Sequence, residues 1–388
     1  MLRIHNTRMV TRLSGLLALQ YRAMSSESKT RPPLEEVLPK KNTLRNYLFQ
    51  HKVPLSYADV MKTYQSCYDD TSVPKKVTGQ DLLSLQKILA SHRKQTRTIS
   101  PHGLALEHSV LETAAEMGNH MAIATLAGEI LTATAKYEQA KASGNLDSAV
   151  DLEYSPEDIE HAQKLLMELS KNEFPLALKI SGDVAFLVGK VDKAAELYSK
   201  CAELLAGDSS AVAASTQAEC FRGIGIVAFQ NYELAEARLA FDNCISMGGA
   251  KDHPDVHFYL GQMASEVSDY PRARFHYREA ASKGFFDSFA PLGNLELYYF
   301  DDVTMAGHWF GLGAEMNEPS CLAGLFDVSM RKKEYSKAEG YKERIFAGNA
   351  EFVRSFKQSR DDLLKELEVY EKKQSEQDKE MTGGDLWK

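Results

Sequence analysis

Residues 261–280 read GQMASEVSDYPRARFHYREA, placing Gly261, Ala273, Tyr277 and Ala280 at offsets 0, 12, 16 and 19. Working outward, the same offsets hold for Gly182, Ala194, Tyr198 and Cys201, and again for Gly225, Ala237, Phe241 and Cys244. A fourth copy, Gly293, Ala306, Phe310 and Gly313, carries one extra residue near Asp301-Asp302, and a degenerate fifth keeps Glu334-Tyr335-Ser336-Lys337-Ala338. The small residue at the first position lets two helices approach closely, and the aromatic at offset 16 fills the space that small neighbours leave. Between them Gly189-Lys190-Val191-Asp192, Gln230-Asn231-Tyr232-Glu233 and Ser268-Asp269-Tyr270-Pro271 supply turn and capping chemistry. Pro271 fits the first turn of a helix, where its missing N–H is unpaired in any case.

The anchors stand 43, 36 and 32 residues apart, bracketing the roughly 34-residue period of the tetratricopeptide (TPR) repeat. Unit junctions recur too: Ala114-Ala115-Glu116-Met117-Gly118, Ala280-Ala281-Ser282-Lys283-Gly284 and Gly313-Ala314-Glu315-Met316-Asn317 each end in a Gly or Asn suited to the left-handed region. That pattern resembles the SEL-like variant of the TPR. The expected fold class is all-α: an α-solenoid of TPR/SEL-like helix-turn-helix repeats with a C-terminal capping helix. The expected organisation is a transit peptide at 1–24, an N-terminal helical segment with flexible linkers at 25–100, the solenoid at 101–350, the capping helix at 351–377 and a disordered tail at 378–388. Within 25–100, helices are expected near 41–51, 56–67 and 79–93.

The 388 residues carry a formal charge of −8. Arg3, Arg8, Arg12 and Arg22 are accompanied by no acid before Glu27, so the chain without this leader is nearer −12. An Arg-rich, acid-free and amphipathic N-terminus is the signature of a mitochondrial transit peptide, with cleavage expected after Ala23. An acidic body gives no general attraction to phosphate backbones, so no nucleic-acid partner is expected. No run is long and apolar enough to span a bilayer, and any membrane contact is expected to be peripheral. The short basic runs Lys40-Lys41 and Lys75-Lys76 read either as solvated helix caps or as contacts to anionic headgroups, Arg93-Lys94-Gln95-Thr96-Arg97 as an exposed loop or a membrane or ribosome contact, and Arg331-Lys332-Lys333 as a solvated turn.

Catalytic chemistry has no visible carrier. His253 and His257 are four residues apart but lack a third ligand. Cys201 and Cys244 occupy the small-residue position of the repeat and read as packed thiols. Cys67, Cys201, Cys220, Cys244 and Cys321 are odd in number with no CxxC pair, which fits a reducing compartment. No enzyme activity, cofactor or metal is expected. The candidate site is instead a peptide-binding groove on the first helix of each repeat, with Lys179, Asp183, Phe186, Arg222, Phe229, Phe258, Gln262 and Asn294 on its face. Lys179 and Arg222 there would favour an acidic ligand, and both are expected to tolerate reversal to Glu without loss of fold. The packing set is Gly182, Ala194, Tyr198, Gly225, Ala237, Phe241, Gly261, Ala273, Tyr277, Gly293, Ala306 and Phe310.

Several stretches recur in order across about residues 35–340: Pro39-Lys40-Lys41 with Leu48-Phe49-Gln50, Ala114-Ala115-Glu116-Met117-Gly118-Asn119, Lys179-Ile180 with Gly182-Asp183, and Leu292-Gly293-Asn294-Leu295-Glu296-Leu297 with Tyr299-Phe300. In these the chain resembles fungal mitochondrial TPR proteins that assist cytochrome c oxidase assembly by exporting the C-terminal tail of subunit II. The resemblance implies a peripheral protein on the matrix side of the inner membrane, with the subunit II tail and the inner-membrane insertase or export machinery as partners. It carries over no catalytic residue. Two other readings stay open at this level: a helical-repeat RNA-binding factor for mitochondrial translation, and a scaffold for another respiratory complex.

Overall fold

The computed structural model describes residues 32–143, 154–249 and 253–383, and among them there is helix and no strand. The transit peptide expected at 1–24 lies outside the described residues. Among the described residues nineteen α-helices follow one another, and the chain divides into two compact units, Met1–Val227 and Ala228–Lys388.

The first unit begins with α1 (Leu34–Val37), α2 (Lys41–Gln50), α3 (Tyr57–Tyr68), α4 (Gly79–Thr96) and α5 (Pro101–Glu116). The three helices expected in this segment are present. Ser56 caps α3 by accepting from Asp59 N–H, and Thr78 with Asp81 closes a capping box on α4. The fully buried Tyr64 donates its hydroxyl to the Leu85 carbonyl at 2.9 Å, joining α3 to α4. Then come α6 (His120–Ala142), α7 (Pro156–Lys171), α8 (Pro175–Leu187), α9 (Val191–Leu204) and α10 (Ala211–Gln230). No core boundary falls at residue 100, where one was expected. Leu44, Tyr64, Leu85, Leu106, Val110, Ile123 and Leu165 belong to one hydrophobic cluster, so the N-terminal segment and the first repeats share a core. The division between units falls inside α10 instead.

The second unit contains α11 (Leu234–Ser246), α12 (Pro254–Glu266), α13 (Tyr270–Ser282), α14 (Phe289–Tyr298), α15 (Val303–Glu315), α16 (Pro319–Arg331) and α17 (Tyr335–Phe346), closed by α18 (Ala350–Ser359) and α19 (Asp361–Gly383). Helices pair as the spacing requires, α12 on α13, α14 on α15 and α16 on α17, while α14 also meets α16 of the next pair. In the first unit α8 pairs with α9 in the same way. Both units therefore show the all-α class of TPR/SEL-like helical hairpins.

The packing follows the chemistry of the pattern. A methyl built on Gly182 would stand 2.6 Å from the ring of Tyr198, on Gly261 2.7 Å from Tyr277, and on Gly293 2.5 Å from Phe310. Gly225 is buried on α10, and Ala194, Ala237, Ala273, Ala306 and Phe241 are wholly buried. The junction residues Gly118, Gly284 and Asn317 take φ of 77°, 81° and 56°, the left-handed region their identity suggested. Pro271 stands in the first turn of α13, with Asp269 capping from its side-chain oxygen.

The C-terminal stretch 351–377, expected as one helix, is two. Arg360 leaves helical geometry at φ −132° and ψ 27° between α18 and α19. The reason is a bidentate bond from its guanidinium to Asp327 on α16, at 2.7 Å to each oxygen, where Tyr298 also donates its hydroxyl at 2.8 Å. Asp327 is only 4% exposed. A buried carboxylate needs this compensation, and its gain offsets the broken helix. Phe356 and Leu367 seal the end of the same core. The tail expected to be disordered from 378 is helical through Gly383, and 384–388 lie outside the described residues.

Candidate functional site

The eight groove candidates fall four in each unit. In the first, Lys179 and Asp183 lie one turn apart on α8 and are half-buried. The Lys179 ammonium bridges Asp183 at 2.9 Å and Glu219 of α10 at 2.5 Å, and Tyr198 donates its hydroxyl to Asp183 at 2.9 Å. Burial by itself would push Lys179 down, but the two carboxylates outweigh it and hold the ammonium above its ordinary value. The Tyr198 phenol is driven up, first by burial and then by Asp183 beside it. Lys179 is therefore spent inside the fold, fastening α8 to α10. Reversal to Glu would place three carboxylates together, so the tolerance expected from the sequence does not hold. Arg222, half-buried on α10, acts on the same Tyr198 phenol, and Phe186 packs against the cluster of Tyr198, Cys201 and Cys220. These four positions hold hairpins together more than they face a ligand.

In the second unit the candidates open onto space. Phe229 at the end of α10 and Gln262 on α12 line a cleft of about 630 Å³ together with Gln230, Tyr232, Ser265, Glu266 and Tyr277. Its aromatic wall is fixed from behind. Phe229 meets Tyr259 at 5.2 Å between centroids, and Tyr259 stacks on the buried Phe241 at 5.5 Å with rings 6° from parallel. Ser265 donates to the Tyr277 hydroxyl at 3.4 Å. Phe258 packs with Tyr277 and Phe285 without itself lining the cleft, and Asn294 is exposed on α14, also outside the lining.

Tyr232 is the residue the offsets did not reveal. It sits in the turn between α10 and α11 at φ 62°, the position that Gly189 holds in the preceding hairpin at φ 76°, and it is 85% exposed. The left-handed turn recurs at Ser268, Asp301 and Lys333 in the following hairpins and so belongs to the repeat, and a bulky side chain there is strained. The signal available beforehand was an aromatic standing where the sister turn has glycine. Gln230 and Gln262 offer donors and acceptors matching a peptide backbone, and Phe229, Tyr232 and Tyr277 offer flat apolar faces. Glu266 is the one charged residue in the lining, which removes the basis for an acidic ligand and favours neutral or basic side chains.

The remaining chemistry-bearing groups are structural. His253 precedes α12, while His257 is buried with its Nδ1 3.0 Å from Nδ1 of His276. Burial foremost, and then His257, press His276 down to about 4, so the pair is neutral near pH 7. Cys201 and Cys244 are wholly buried, and Cys201 donates to the Pro175 carbonyl at 3.1 Å. Among the described residues no three His, Cys, Asp or Glu side chains gather as a metal site. No described helix is long and apolar enough to cross a membrane.

Residues 30–119, spanning α1 to α5, match the family model described as the MSS2 N-terminal domain. Along most of its length, that segment included, the chain is 26% identical over 352 residues to Protein MSS2, mitochondrial, of Saccharomyces cerevisiae, an alignment covering 86% of this chain and 94% of the yeast protein. The chain is similar to yeast MSS2 along nearly all of that protein's length. The MSS2-type N-terminal domain coincides with the helices that lack the repeat spacing, so the part least legible as a repeat is the part the family model recognises. Among solved structures, the chain is similar to a Sel1 repeat protein from Oxalobacter formigenes at 18% identity, covering 54% of this chain and 82% of that one with a TM-score of 0.37. It is also similar to yeast Tom70 at 11% identity, covering 80% and 58% with a TM-score of 0.38.

Proposed function

We propose that this protein is a non-enzymatic adaptor for cytochrome c oxidase assembly, held peripherally on the matrix side of the mitochondrial inner membrane, which binds the C-terminal tail of subunit II and delivers it to the export machinery. The observation that carries the reading is the alignment over 94% of a mitochondrial protein's length. The acid-free arginine leader supports the compartment. The cleft supports the mode: aromatic faces and amide side chains in a shallow concavity suit an extended polypeptide segment, bound through its backbone and a few side chains. Its lining holds no cation, unlike a helical-repeat RNA groove, which needs basic groups for phosphate. Work against the membrane barrier would come from the export machinery; this chain raises the tail's local concentration beside it.

Cytochrome spectra of a deletion strain, read together with protease accessibility of the subunit II tail, test the proposal. The expected result is loss of oxidase with the tail held in the matrix. Normal oxidase, or lost oxidase with the tail exported, would contradict it.

A further inference from the structure

Two helix ends of the first unit meet where the chain's charge is reversed. Tyr47 of α2 donates its hydroxyl to Gln95 in the last turn of α4 and packs edge-on against His92 at 5.9 Å, bringing the C-terminal ends of α2 and α4 together. Residues 37–58 carry Lys40, Lys41, Arg45 and Lys52 with no acid, and residues 82–106 carry no acid either. Lys40, Lys41, Arg45, Lys52, Lys94 and Arg97 are all exposed and form no ion pair among the described residues, whereas Arg93 bonds Glu107 at 3.1 Å. In a chain of net charge −8 these two stretches are basic, with the exposed Glu35 and Glu36 standing just before the first.

Two further facts bear on them. Lys40 and Lys41 stand at the N-terminus of α2, which has no side-chain cap and no acid in its first turn, although the helix dipole disfavours cations there. The neighbouring α3 and α4 have caps and an acid, whereas α8 and α14 share the uncapped, acid-free start of α2. Second, the cations flank protruding apolar side chains. Phe49, two turns along from Lys41 and one from Arg45, is 86% exposed at the end of α2, and Ile99, beyond the end of α4, is 77% exposed. Lys41 and Arg45 lie 5.6 and 5.3 Å from the ring centroid of Tyr57, which holds them beside Phe49.

We propose that this end of the first unit docks on an anionic lipid bilayer, with Phe49 and Ile99 entering the headgroup layer and the surrounding cations meeting lipid phosphates. Isolated protrusions ringed by long basic side chains fit a fluid interface, where Lys and Arg bury their stems and keep their charges at the headgroups. An acidic protein partner would call for a contiguous apolar patch inside the charged ring, and here the apolar groups are single side chains at two helix ends. The inference deepens the membrane location proposed above and rests on it only for its biological setting.

Flotation of the full chain with vesicles of phosphatidylcholine containing cardiolipin, against phosphatidylcholine alone, tests it. To separate the leader's own arginines, each measurement is repeated with Arg3, Arg8, Arg12 and Arg22 changed to Gln. The expected result is binding to the cardiolipin vesicles alone, weakened by salt and retained without the leader arginines. Each cation removed should weaken it roughly fivefold, so Lys41→Gln with Arg45→Gln and Lys52→Gln loses roughly a hundredfold. Phe49→Ala should lose severalfold at unchanged charge. Those positions point away from Leu44, Tyr47 and Leu48, so circular dichroism should stay at wild type. A Tyr232→Gly variant should float normally, which separates failure of the cleft from failure of this surface. Equal binding to neutral vesicles, binding that vanishes with the leader arginines alone, or selective capture of an acidic protein with no flotation would overturn the proposal.

Discussion

Phe310 is held between Gly293 and Gly324, where a methyl on either glycine would come within 2.5 Å of its ring, and Tyr198 is held likewise between Gly182 and Gly223. One glycine of each pair belongs to the aromatic's own hairpin and the other to the next, so a single ring locks two hairpins. Gly293→Leu is expected to cost about 3 kcal/mol by overpacking. In a Phe310→Ala background the added side chain enters vacated space and should cost less, which urea denaturation of the double variant measures. The glycine inside each hairpin was legible from the offsets. Its counterpart across the junction was not, because the varied link between hairpins moves Gly223 and Gly324 to different distances from their ring. Tyr232 is the opposite case, a side chain whose conformation opposes stability. Tyr232→Gly should hold or raise the thermal midpoint by relieving the left-handed strain, by up to about 1 kcal/mol, while weakening capture of an extended peptide, as calorimetry would read.

Helices were found where periodicity and capping placed them, since both are local properties. Their boundaries departed from expectation where a distant partner intervened. Arg360 breaks the C-terminal helix because Asp327, 33 residues away, sits buried on α16. Such a pairing leaves no periodic trace. Arg360→Ala should leave Asp327 with Tyr298 alone, destabilise the second unit by roughly 3 kcal/mol and expose α19 to limited proteolysis; a protease pattern unchanged from wild type would contradict the clasp. A second element-level clasp joins α5 to α6. His108 is buried, and its ring nitrogens each lie 3.4 Å from a carboxylate, Glu112 and Glu129. Burial pushes it down most strongly of any one cause, yet the two glutamates together raise it to about 9. Its folded value lies above the unfolded one, so the contribution is complete below about pH 6.5 and is lost as pH rises through 9. On the order of 2 kcal/mol should disappear between pH 7 and pH 10, as urea midpoints would show, and His108→Gln should flatten that slope.

For the molecule as a whole, the repeat spacing identified the fold class, while the candidate groove was legible only in part. Phe229 and Gln262 line an open cleft, but Lys179 and Asp183, chosen by the same offsets, are committed to an internal ion cluster. An offset fixes which helical face a residue occupies and says nothing of whether a neighbouring helix brings it a partner of opposite charge. Among the described residues, the aromatic cleft of the second unit and the basic end of the first are surfaces with unmet chemistry. Under the proposed function, the cleft would hold a segment and the basic end would keep the chain near the membrane. The claim that joins them is that the cleft holds the tail of subunit II. A photo-crosslinking residue placed at position 232 and activated in intact mitochondria tests it most directly. An adduct with the C-terminal segment of subunit II is expected, absent when the same residue replaces the exposed Leu239 outside the cleft. No adduct from position 232, or an equal one from position 239, would contradict it.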